Sequence, residues 1–302
     1  MGSGSFSTKA YASYSTSLGR SYSNDTGRVS GQTFESKRLD ESLNPKKFTI
    51  RECANNDEHP NTIPVILALD VTGSMGEACS ETAAALGVII TNLYKKFKDI
   101  EFCVMGIGDL AYDDAPIQMS QFESDVRIAE ALDKIYMEHG GGGNAFESYT
   151  AAWYMGLHHT KLDCYDKQGR KGIIITMGDE PLNPYLPKYG LSGALGTNIQ
   201  GDVDTKELYA EASKKFDIFH IAVDSPRDCY RSYKDEINKS FGEVLGQRLK
   251  TATLNRLAEV VEECITESVG STPEVIGEVT PAVNTVNENG EISWSLFHFL
   301  IY

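Results

Sequence analysis

Apolar positions along the chain fall into short continuous runs that alternate with stripes of helical period. Val65–Leu69 is a brief apolar run that ends at Asp70, and Leu86, Ile89, Ile90, Leu93 and Phe97 then recur at helical spacing. Glu101–Ile107 reads as a second strand. Ile128, Ala131, Leu132, Ile135 and Tyr136 mark a helix, and Tyr149, Ala152, Trp153, Gly156 and Leu157 another. Gly172–Thr176 predicts a third strand, stopped by Gly178 and Pro181. Leu208, Ala212 and Phe216 give a further stripe, and Ile218–Val223 a fourth strand. The last stripe runs through Leu254, Leu257, Val260, Val261, Cys264 and Ile265.

Strands that are apolar throughout are strands covered on both sides, and alternation with helices is the pattern of a parallel sheet. The expected fold is α/β: a doubly wound, mostly parallel sheet flanked by helices, with an extended N-terminal arm and a C-terminal tail. Residues 1–45 are rich in Ser, Gly, Thr and Tyr and poor in aliphatics. They are read as a flexible arm, with docking of Phe6, Tyr11, Tyr14 and Tyr22 as the alternative. Residues 46–270 form the expected domain. Residues 271–302 read as a tail, in which Asn289-Gly290 can turn a small hairpin.

Composition narrows the partners. The 302-residue chain carries a formal charge of −15, which disfavours nucleic acid and anionic membrane surfaces. No apolar run reaches the ~18–20 residues of a membrane span, so none is expected. Six cysteines lack metal-ligand spacing, which suits reduced thiols and a cytoplasmic location.

The chemistry concentrates where the first strand ends, in Asp70-Val-Thr-Gly-Ser. Side chains at every second position share one space, so Asp70, Thr72 and Ser74 converge with one carboxylate and two hydroxyls. Hard oxygens suit Mg²⁺, Mn²⁺ or Ca²⁺. A single carboxylate leaves a dication under-neutralised and able to take a carboxylate from outside. Helix capping is the alternative use of the same residues. Ligands of such sheets bind beyond the carboxyl ends of the strands where the strand order reverses, and Asp70 and the loop after Thr176 both lie at strand ends.

Asp70–Met75 resembles the metal-ion-dependent adhesion site (MIDAS) of von Willebrand factor A (vWA) domains, and the likeness extends over roughly residues 63–270. It implies that Asp70, Thr72 and Ser74 hold a metal, partly through water. It also implies a further ligand from a glycine-rich loop and an acidic residue after a later strand. Gly140–Gly143 is the loop, and Asn144 is the expected ligand, with Glu147 and Ser148 as substitutes. After the third strand Met177 stands in the usual acidic slot, so the acidic ligand expected is Asp179, then Glu180. Asp109, Asp113 and Asp114 read as a solvated acidic loop.

The resemblance implies a binding module rather than an enzyme, recognising a protein partner that presents a carboxylate. Intracellular domains of this kind often work beside ATP-driven assemblies. Two other functions fit parts of the sequence. Asp70-Val-Thr-Gly-Ser also resembles the phosphorylation motif of P-type ATPases and haloacid dehalogenases, with Asp70 as nucleophile and Gly178-Asp179 as the magnesium pair, although no lysine follows Asp70. A structural assembly protein with a vestigial metal site is the other.

Overall fold

In the computed structural model, residues 4–138, 147–225 and 230–270 are described. Six strands form the central sheet: β1 (Ile63–Asp70), β2 (Ile100–Ile107), β3 (Ile117–Met119), β4 (Gly172–Gly178), β5 (Phe216–Asp224) and β6 (Leu249–Thr253). Their spatial order is β3-β2-β1-β4-β5-β6. All neighbours are parallel except the pair β2–β3. Winding starts at β1, runs outward to β3, and then restarts on the other side with β4. The order therefore reverses between β1 and β4, where Leu69 stands opposite Met177. In a doubly wound sheet the crevice beyond the carboxyl ends at this reversal is the ligand position.

Period-two alternation assigns each strand residue to one of two cores. Val65, Leu67 and Leu69 of β1 join Ile173, Ile175 and Met177 of β4 on one face. That face is covered by α2 (Gly76–Lys96), α3 (Arg127–Asp133) and α7 (Leu257–Gly270). Ile66 and Ala68 join Ile174, Ile218 and Ala222 on the other face, under α4 (Thr150–His159), α5 (Thr205–Lys215) and α6 (Tyr230–Leu245). Every residue from Pro64 to Asp70 is buried, which is why the strand shows no polar alternation.

The N-terminal residues depart from the flexible arm expected of 1–45. Phe6, Tyr11, Tyr14, Tyr22, Val29 and Phe34 pack into the core that α2 and α3 cover. The helix α1 (Thr8–Ser17) buries Tyr11, whose hydroxyl donates to the Ala83 carbonyl at 3.3 Å. Arg20 makes a two-pronged bond to Asp133, with both N···O distances 2.7 Å, and Tyr14 donates to the same carboxylate at 2.9 Å. Tyrosine replaces the missing aliphatics here, because its ring buries area while its hydroxyl finds a partner. No domain break falls at residue 45 among the described residues, which cluster as one unit on both sides of it. The expected tail and hairpin, 271–302, lie outside the described residues.

Candidate metal centre

Asp70 is the last residue of β1 and is fully buried. The chain beyond it makes one 3-10 turn, Gly73–Met75, before α2 begins at Gly76. Asp70 Oδ1 accepts two bonds from Thr72, from the backbone N–H at 2.9 Å and from the hydroxyl at 2.6 Å. Asp70 Oδ2 accepts from the Tyr149 hydroxyl at 2.8 Å. Asp179 follows β4 directly and is also fully buried; its Oδ1 accepts from the Ser74 hydroxyl at 3.0 Å. Thus Asp70, Thr72, Ser74 and Asp179 meet across the β1–β4 reversal, although more than a hundred residues separate Ser74 from Asp179. The motif does not serve as a helix cap: neither Thr72 before the 3-10 turn nor Met75 before α2 makes a side-chain capping bond.

Asn144 lies outside the described residues. Its expected substitutes separate. The Ser148 hydroxyl accepts from the Leu110 N–H at 3.0 Å, which turns it to the loop after β2. Glu147 is buried beside Leu182, and its Oε2 has no hydrogen-bond partner among the described residues. The acidic loop after β2 is less solvated than its composition suggests. Asp109 is only 3% exposed, and Asp113 folds back to accept from the Asp109 N–H at 2.7 Å. These carboxylates share a site because the ends of β1, β2 and β4 are neighbours.

The cluster is electrostatically strained. Burial, and then the charge of Asp179, push the Asp70 carboxyl up to about 7. Burial, followed by Asp70, Glu180, Asp113 and Asp109, pushes Glu147 up to about 10. Tyr149 stays protonated, raised by burial and then by Asp70, Asp179 and Glu147. No Lys or Arg of the described residues forms an ion pair with Asp70 or Glu147. A hard dication would reverse the sign of this environment, and buried carboxylates with hydroxyls are the donors it prefers. Among the described residues no group of three or more His, Cys, Asp and Glu side chains is arranged to hold a metal. Any cation here would therefore draw on hydroxyl and water oxygens beside the carboxylates, which fits Mg²⁺ or Mn²⁺ and not zinc.

A groove of about 720 Å³ opens beside the turn, with Thr72, Gly73, Gly76 and Ser80 on one side and Phe34 and Met137 on the other. Phe34 adopts φ 56°, a left-handed conformation costly for a side chain with Cβ. The docked arm thus builds one wall of the approach to the cluster.

Sequence reasoning placed Tyr149 in an apolar stripe and missed its hydroxyl. The one local signal was a tyrosine set between two hydroxyl residues, Ser148 and Thr150.

Fold and cluster together define a doubly wound α/β domain with hard-oxygen donors gathered at its topological switch point. The sequence matches no protein-family model, and no curated protein matches it. Solved structures are similar to it at low identity. The pilus adhesin SpaC of Lactobacillus rhamnosus GG, in its open conformation, is 12% identical over 72% of this chain and 30% of its own, with a TM-score of 0.45. The vWF domain of the type V pili tip protein Mfa5 of Porphyromonas gingivalis is 14% identical over 72% of this chain and 98% of its own, with a TM-score of 0.44.

Proposed function

We propose that the protein is a protein-binding module whose grip on its partner depends on a divalent cation. The observation that supports this reading most is the meeting of two fully buried carboxylates, Asp70 and Asp179, each bonded by a hydroxyl of the Asp70–Ser74 motif. Asp70, Thr72, Ser74 and Asp179 would hold Mg²⁺, Mn²⁺ or Ca²⁺, with Asn144 or Glu147 completing the set. When bound, the cation supplies a Lewis-acidic position for a carboxylate of the partner. The residues of this chain hold and orient it, and the groove at Phe34 and Met137 receives what flanks the partner's acidic group.

Binding is favoured over phosphoryl transfer on one observation. The phosphorylation motif carries a lysine directly after its aspartate, whereas Val71 follows Asp70 and is fully buried in the apolar core. Cys53, Cys79, Cys103, Cys164 and Cys264 are buried free thiols, which supports a reducing, cytoplasmic compartment.

Affinity capture on the immobilised full chain tests the proposal. Specific proteins retained in Mg²⁺, and lost both with chelator and on Asp70→Ala, are expected. Retention indifferent to both treatments contradicts it, and a hydroxylamine-labile phosphate on Asp70 would favour the transferase instead.

A further inference from the structure

Tyr149 has no exposed surface, and its hydroxyl sits where three elements meet. It donates to Asp70 Oδ2 at the end of β1, at 2.8 Å, and accepts from the Glu180 N–H just past β4, at 3.3 Å. A phenol has one proton to give and lone pairs to receive, so both bonds are made without conflict. The ring is held as firmly as the hydroxyl. It packs on His220 at a centroid distance of 5.1 Å and on Phe241 at 5.8 Å, and those two rings stack on each other at 3.7 Å. On the remaining side it lies against the backbone of Gly178. A Cβ at residue 178 would overlap Oη, Cζ and Cε1 of Tyr149, so only glycine admits the ring there.

An ionised carboxylate offers about four lone-pair sites. Thr72 uses both on Oδ1, and Tyr149 uses one on Oδ2. The carboxylate is thereby stopped from rotating, and Oδ2 keeps the free lone pair.

We propose that Tyr149 is the positioning residue of the metal centre, its wedged hydroxyl fixing the Asp70 carboxylate so that the free lone pair of Oδ2 is presented to a divalent cation. The inference rests on the metal-binding reading above. It adds that affinity is set partly by a residue that never touches the metal, as hydrogen-bond partners of ligating groups elsewhere set it by 10–100-fold.

The test is calorimetric titration of the full chain with Mg²⁺ and Mn²⁺ alone. Tyr149→Phe removes one oxygen and keeps the ring; Phe216→Leu loosens the core at the first residue of β5, beside Gly156 and Gly172, and leaves the ring and hydroxyl of Tyr149 alone. Tyr149→Phe is expected to raise Kd by about 10–100-fold. Phe216→Leu is expected to lower the unfolding temperature of the metal-free protein while leaving Kd within about threefold of wild type. A folded Tyr149→Phe with wild-type Kd, or a Kd that rises in both variants only in step with lost stability, overturns the assignment. The failure of the parent reading looks different, since wild type would then bind no metal at all. If Tyr149→Phe does not fold, tyrosine difference absorption of wild type on Mg²⁺ addition carries the test. A perturbation equivalent to one tyrosine is expected, and an unchanged spectrum overturns the proposal.

Discussion

Two carboxylates buried together are costly unless something compensates them, and in this chain the compensation comes first from hydroxyls. Thr72 and Ser74 each bond one of the pair, and Tyr149 adds a third donor. Of these residues, Asp70, Thr72 and Ser74 were legible in the sequence, because an apolar strand that ends in evenly spaced oxygens has few other uses. Asp179 was legible only as the nearest acid after a strand. Tyr149 was not legible, because its partner Asp70 is 79 positions away and its own neighbours suit a helix stripe. Glycines make the same contrast measurable. At Gly178 a methyl would collide with Tyr149, whereas at Gly76, the first residue of α2, nothing lies within 4 Å. Gly178→Ala is expected to cost about 1–3 kcal/mol by urea unfolding, the usual range for overpacking. Gly76→Ala is expected to be neutral or up to about 1 kcal/mol stabilising, through helix propensity. Equal effects of the two would contradict the placement of the Tyr149 ring.

At the scale of elements, long periodic segments were readable and short or sparsely apolar ones were not. β1, β2, β4 and β5 stood out because both faces are covered and the runs are apolar throughout. β3 has three residues and β6 is half-exposed, so neither offers a continuous run. α6 buries only Tyr230, Ile237, Phe241 and Leu245 among its sixteen residues, too sparse a stripe to mark it in advance. Docking of the arm, the second of the two readings open for residues 1–45, was hard to see for a related reason, since its core contribution comes from tyrosines and not aliphatics. A signal did exist within α2. Gly87 sits mid-helix, where glycine costs about 1 kcal/mol, and a Cβ there would collide with the Tyr11 ring. Gly87→Val is therefore expected to lift α1 from α2 and to speed limited proteolysis before residue 45. Unaltered cleavage would mean the arm is held by Arg20 and Tyr14 alone.

Across the whole molecule, the switch point brings the strand ends together, and the buried groups on either side set how stability responds to pH. His220 is fully buried, stacked on Phe241 and bonded to the Thr176 hydroxyl at 2.8 Å; burial pushes it down to about 3. Between pH 6.5 and 3 the unfolded chain binds a proton that the folded one refuses, so stability falls as pH falls through this window. From pH 7 to 5 the single site accounts for a loss of about 2 kcal/mol. In chelator, wild type should lose that much more than His220→Gln over this range in urea titrations. Parallel losses would show that His220 protonates within the fold. The raised carboxyls of Asp70 and Glu147 act in the opposite sense, which is why the comparison is made against the variant.

The central claim is that the reversal of the sheet gathers oxygens around a hard dication. Calorimetric titration of Mg²⁺ into the full chain and into a folded Asp70→Ala variant tests it most directly. One saturable site in wild type, absent from the variant, is the predicted result; no heat of binding in wild type, or identical isotherms for both proteins, would contradict it.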